Sequence, residues 1–175
     1  MSDTLGRAIE ATTDVVTAVP PMLRDELFHP AVVHFPIAFL ALSGLLACFW
    51  FFSRRGLPTL LFIAILAVVG GWAGILTGGW SEDVVNRVVC DPTVTQLHEQ
   101  WAEWAVWTAS AGLPLLLFAA LRGKKGVPTT YRAVVALVFT FVAGAVLYAG
   151  HLGARLVYQQ AAAVHQPSPQ CTEFE

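Results

Sequence analysis

The sequence predicts an all-α membrane protein, an antiparallel bundle of four transmembrane helices with both termini periplasmic. Three observations carry that expectation. The chain is 56% hydrophobic and only 13% charged, against about 25% charged residues in an ordinary soluble domain. Its charges leave long gaps: Pro30 to Phe52, Leu57 to Trp80 and Val134 to Ala154 hold no Asp, Glu, Lys or Arg, and Trp104 to Leu121 is a fourth such run. Each run is close to the ~20 residues that cross ~30 Å of hydrocarbon as a helix. The remaining charges segregate by sign between the ends of those runs.

The first span is read as 30–52. The segment before it is acidic rather than basic, and no small-residue cleavage pattern follows it, so an uncleaved span is expected rather than a signal peptide. The second, 57–80, begins after the turn chemistry of Gly56-Leu57-Pro58. The third, 98–121, reaches back to His98 if Glu99 and Glu103 face the interior or the interface. The fourth, 131–156, follows a connection with Gly123, Gly126 and Pro128. Short connections favour up-and-down packing. Residues 1–28 read as a periplasmic or interfacial segment, with amphipathic pieces at 12–19 and 22–28 broken by Pro20-Pro21. The spans form one domain over 29–160, and 161–175, with Pro167 and Pro169, is a periplasmic tail. No internal repeat, nucleotide-binding glycine loop or hydrolase triad is legible, and no nucleic-acid partner is expected.

Orientation follows from charge. The connections at 53–56 and 122–130 carry Arg54, Arg55, Arg122, Lys124 and Lys125, with Arg132 just beyond, and no acid. All twelve acidic residues fall on the other side, beside Arg7, Arg24, Arg87 and Arg155. Twelve acids against four arginines leave −8 on one face, and six basic residues give +6 on the other. The positive-inside rule places the basic connections in the cytoplasm of a bacterial inner membrane. The acidic outer face is either a plain solvated surface or a docking face for a cationic soluble partner, because such fields speed encounter.

Cysteine usage fits that topology. Cys90 and Cys171 both lie on the outer side, where an oxidising periplasm permits a disulfide between them. Cys48, inside the first span, reads as a small core residue.

The candidate site is built on histidine. His29, His34, His98 and His151 all fall within roughly two turns of the outer interface, at ~1.5 Å per residue. Ionisable groups at membrane depth are costly unless paired or bound, so they mark functional sites. His34, His98 and His151, from three spans, are the candidate ligands. His29 reads as a hydrogen-bonded structural group or a solvated one, and His165, in the tail, plays no part. Neutral imidazoles bind haem iron, copper or zinc, and a b-type haem in a bundle takes two histidines from facing helices. Gly70, Gly74 and Gly78 either admit a flat macrocycle or serve close helix packing. Arg155 either pairs with a propionate or snorkels to headgroups, and Trp101 is placed to wall a pocket one turn from His98. The pattern leaves haem, a copper or zinc ion, and a quinone-type pocket all open.

Several motifs carry a family resemblance. The stretch His29-Pro30-Ala31-Val32-Val33-His34-Phe35-Pro36-Ile37-Ala38 resembles the opening of bacterial membrane proteins in domain-of-unknown-function family 2231. Leu97-His98-Glu99, followed by Trp101-Ala102, is similar to the start of that family's third span, and Gly150-His151-Leu152-Gly153 through Arg155-Leu156-Val157-Tyr158 resembles its ending. The sequence departs at Ala154, where the family has a second glycine, and at Gln159-Gln160, where Arg or His is common. The resemblance covers about 29–160 and implies a four-helix plan like that of membrane b-type cytochromes. The expected function is electron transfer through one b-type haem near the periplasmic face, not catalysis by this chain alone. The expected partners are the lipid bilayer and either a cationic periplasmic carrier or a larger complex. The alternatives are a non-catalytic assembly subunit of a respiratory or photosynthetic complex, with no cofactor, and a metal-ion binding protein.

Overall fold

The computed structural model of the protein describes residues 25–87 and 89–162. Four helices account for nearly all of them: α1 (Asp25–Ser53), α2 (Leu57–Val85), α3 (Pro92–Arg122) and α4 (Thr129–Gln160), with a 3-10 turn at Gly123–Lys125 between the last two. All four are long and apolar enough to cross a membrane. Helices of 29 to 32 residues reach ~44–48 Å, longer than ~30 Å of hydrocarbon. They therefore overrun the spans expected at 30–52, 57–80, 98–121 and 131–156. A charge-free run marks contact with lipid, whereas backbone hydrogen bonding continues beyond it. Helix α2 runs on through Ser81 to Val85 and α3 starts at Pro92, so the connection between them shrinks to 86–91. The amphipathic piece expected at 12–19 lies outside the described residues.

The outer surface of the bundle suits lipid. Only 28% to 39% of each apolar window is buried inside it. Phe35, Leu45, Phe52, Phe62 and Leu137 are each at least 60% exposed, and in water a patch of that size would be an aggregation hazard. The helices pack in a ring: α1 meets α2 and α4, and α3 meets α2 and α4. Three clusters of core fill it, one around Leu40, Ala67, Val106 and Val142, a second around Trp50, Leu60, Leu116 and Phe139, and a smaller third around Val94, Leu152 and Leu156. Small residues bring the backbones close, which substitutes for the missing hydrophobic drive between helices in lipid. A Cβ on Gly44 would sit 2.7 Å from the Phe139 carbonyl oxygen, and one on Gly71 would sit 2.7 Å from Val106. Gly70 and Gly74 meet Pro36 and Val33 of α1, so these two serve close packing.

The two helical hairpins bury equivalent positions. Pro36, Leu40, Ser43, Ala47 and Trp50 of α1 correspond, 69 residues on, to Ala105, Ala109, Gly112, Leu116 and Ala119 of α3, and all are buried. Leu60, Ala64, Ala67, Gly71 and Gly74 of α2 correspond, 75 residues on, to Val135, Phe139, Val142, Val146 and Ala149 of α4, again all buried. The residue types differ at most of these pairs, so no repeat is legible in the sequence.

Arg132 is 4% exposed, unlike an ordinary loop cation. Its Nη1 donates to the Phe51 carbonyl at 2.6 Å and its Nη2 to Thr129 Oγ1 at 3.1 Å. Phe51 lies in the last turn of α1, whose carbonyls have no intrahelical donor, and a cation there is favoured by the helix dipole. Arg132 thus staples the end of α1 to the start of α4. Arg132→Met keeps the apolar stem and removes both bonds. It is expected to cost about 1–3 kcal/mol, read as a lower thermal midpoint in detergent, whereas Arg55→Met is expected to change little.

Cys48, expected as a core residue, is half-buried at the edge of the α1–α4 seam, its Sγ 3.3 Å from the exposed Thr140 Oγ1. Cys90 is exposed, and Cys171, its expected partner, lies outside the described residues.

Candidate functional site

At the acidic end of the bundle a cavity of about 400 Å³ is lined by all four helices. That volume lies within the ~300–1,000 Å³ of small-molecule sites. Two imidazoles meet in it. His29, on the first turns of α1, has its Nδ1 3.1 Å from the Gly74 carbonyl oxygen and 3.3 Å from Thr77 Oγ1. His98, on the second turn of α3, has its Nδ1 2.8 Å from the Ala149 carbonyl oxygen. A carbonyl only accepts, so Nδ1 must carry the proton in each ring, and in the neutral form Nε2 keeps the lone pair. Neither Nε2 has a hydrogen-bond partner among the described residues. The ring centres are 6.1 Å apart and the planes are 89° to one another.

Glycine makes room for both rings. A Cβ on Gly78 would lie 3.2 Å from His29 Cε1, and one on Gly153 would lie 3.1 Å from His98 Cε1. In each case the carbonyl that holds the ring belongs to the residue four before that glycine. The two histidines are therefore the same construction made twice, once in each hairpin: His98 follows His29 by 69 residues, and Gly153 follows Gly78 by 75.

The expected site residues divide into two groups. His34 and His98 both line the cavity. His151 does not: it is exposed and stacks on Tyr148 with ring centres 6.4 Å apart. It lies two residues, or ~200° of helical rotation, from Ala149 on the buried face. Trp101 packs against Trp104 and Tyr148 outside the cavity, at 5.1 and 5.0 Å. Arg155 donates from Nε to Gln159 Oε1 at 3.1 Å, also outside the lining. His29, read from the sequence as a hydrogen-bonded or solvated group apart from the candidate ligands, is hydrogen-bonded to α2 and lines the cavity. His29, Val33, Pro36 and Leu40 form one helical stripe, and His34 stands off it, but with apolar residues on every face the sequence does not mark which stripe turns inward.

Polar groups complete the lining. Glu82, Glu99 and Glu103 stand along α2 and α3. The Thr95 hydroxyl oxygen is buried and has no partner among the described residues. Among those residues no three His, Cys, Asp or Glu side chains are placed to hold a bare metal ion. Gly150 adds open space on the cavity wall, since a Cβ there would meet nothing within 4 Å.

The α2–α3 connection is pinned over this end. Asp91 caps α3, accepting from the Thr93 hydroxyl and, at 3.0 Å, from its backbone N–H. Those bonds, the hydroxyl first, with help from Arg155, hold its carboxyl below the usual range. The Asp91 N–H also donates to Gln160 Oε1 at 2.9 Å, tying the connection to the last turn of α4. Comparison of the chain with protein families, with curated proteins and with solved structures finds no match.

Proposed function

We propose that the chain is an antiparallel four-helix protein of a bacterial inner membrane, with both termini periplasmic, and that it carries electrons through one b-type haem held between His29 and His98. The direction of the helices is supported by contacts that run in opposite senses along neighbours. His29, Val33 and Pro36 meet Gly78, Gly74 and Gly70 in turn, and Gly44, Cys48 and Phe51 meet Ala143, Thr140 and Arg132. The basic connections then share one end, which the positive-inside rule assigns to the cytoplasm. The resemblance to family 2231 agrees, because His29 and His98 both stand in its motifs.

One observation carries the haem: two imidazoles meet in one cavity, each with Nδ1 fixed by a backbone carbonyl and Nε2 free. Metal-ligating histidines almost always donate their other N–H to such an acceptor, which fixes the tautomer and raises ligand basicity. With ring centres 6.1 Å apart, His29 and His98 would be the residues that hold the haem iron, each through its free Nε2. The haem supplies one-electron chemistry when bound. The chain's residues orient the two imidazoles, exclude water with an apolar wall, and present an acidic face that favours a cationic periplasmic carrier.

The test is a reduced-minus-oxidised absorption spectrum of the detergent-purified protein with a pyridine haemochrome assay. Sharp b-type bands at near one haem per chain are expected. Absence of haem after expression with adequate haem supply overturns the reading in favour of an assembly subunit.

A further inference from the structure

The two hairpins bury the same positions but do not carry the same chemistry at the flanks of the cavity. On one flank, Pro30 and His34 of α1 face Gly150, Ala154 and Val157 of α4. The equivalent positions on the other flank are Glu99 and Glu103 of α3, facing Ile75, Gly79 and Glu82 of α2. Proline and an imidazole on one side are thus replaced by two carboxylates on the other, and Val157 by a third. The two histidines at the centre are matched, and the flanks are opposite in character.

We infer that the carboxylate edge of the bound macrocycle lies at the His34 flank and its apolar edge toward Glu82, Glu99 and Glu103; this rests on the haem reading above. Three carboxylates lining one flank repel an anionic edge in a weakly screened site. Among the described residues the other flank is lined by no acid, offers an N–H donor on His34, and is widened by Gly150, beside which a Cβ would meet nothing within 4 Å. His34 is exposed at the mouth of the cavity, where an anionic group also reaches water. Thr95 supplies an independent sign that the cavity takes a ligand with polar atoms. It is 8% exposed, lines the cavity, and its hydroxyl has no partner among the described residues, a state that native proteins rarely leave unfilled.

The orientation is tested with apo-protein from haem-depleted cells, titrated with haem and with haem dimethyl ester, whose propionates are esterified. The wild type is expected to bind haem more tightly than the ester. His34→Ala is expected to weaken haem roughly tenfold and leave the ester unchanged, so the ester serves as the control for folding. His34→Gln, which keeps a donor, restores part of the preference, and Glu103→Gln keeps it. A His34→Ala protein with the wild-type preference overturns the assignment, as does a preference abolished by Glu103→Gln instead. Binding of neither compound overturns the haem reading itself, an outcome the absorption spectrum separates from the others.

Discussion

His98→Ala is expected to abolish the low-spin b-type spectrum that the proposed haem would give, and His29→Ala to do the same, while His151→Ala and His165→Ala are expected to leave it intact. The expectation follows from the diagonal placement of the pair. Helices α1 and α3 stand diagonally in the ring, each packing chiefly on α2 and α4, and these two imidazoles meet across that diagonal. Each ring rests against a glycine and makes its main bond to one carbonyl, so its removal costs the apo-fold only about 1 kcal/mol. Helix content in detergent should therefore survive while the proposed haem ligation is lost. Added imidazole is expected to restore a six-coordinate spectrum in both variants, because truncation leaves a vacancy of the right shape. Low-spin haem retained in both alanine variants would remove these residues as ligands. Loss confined to His151→Ala would move the site to the outside of the bundle.

Gly44→Leu is the second large effect. The new Cβ would sit 2.7 Å from the Phe139 carbonyl oxygen and 2.7 Å from the Ala143 Cβ. Backbone cannot rotate out of the way, so α1 and α4 must separate. Overpacking of this kind costs about 1–3 kcal/mol, and a backbone contact puts it at the upper end. The readout is a lower thermal midpoint in detergent. Gly144→Leu provides the contrast, since a Cβ there meets nothing within 4 Å, and its midpoint should stay near that of the wild type. Equal midpoints for the two variants would show that the α1–α4 seam is not where the structure places it.

That contrast also shows what the sequence could and could not reveal. The spans were legible because lipid demands unbroken apolar runs, and depth along each helix was legible because the rise per residue is fixed. Helical phase was not. In a soluble helix the polar face marks the buried one, but here both faces are apolar, and Gly44 and Gly144 look alike on paper. The same blindness governed the histidines. His29, His34, His98 and His151 share a depth, yet only phase separates His29 and His98 at the centre from His34 at the flank and His151 on the outside. The glycines under the two rings carried the missing information, because Gly78 and Gly153 matter only through the histidine that each accommodates. Helix ends were underestimated for a different reason, as the charged turns of α2 and α3 stay helical beyond the lipid.

The pairing of His29 with His98 also sets an order of events during biogenesis. The two residues are 69 positions apart and belong to different hairpins. At about 5–20 residues per second, translation reaches the second roughly 3–14 s after the first. The first hairpin therefore waits in the bilayer with half a site, its imidazole already tethered to the Gly74 carbonyl. Anything that bridges the rings must arrive after the second hairpin has docked. Under the proposed haem reading, its capture would tie together two units that otherwise pack chiefly along the α1–α4 and α2–α3 seams. Such a late clasp adds stability by mass action, and it separates a mature bundle from one that has merely inserted.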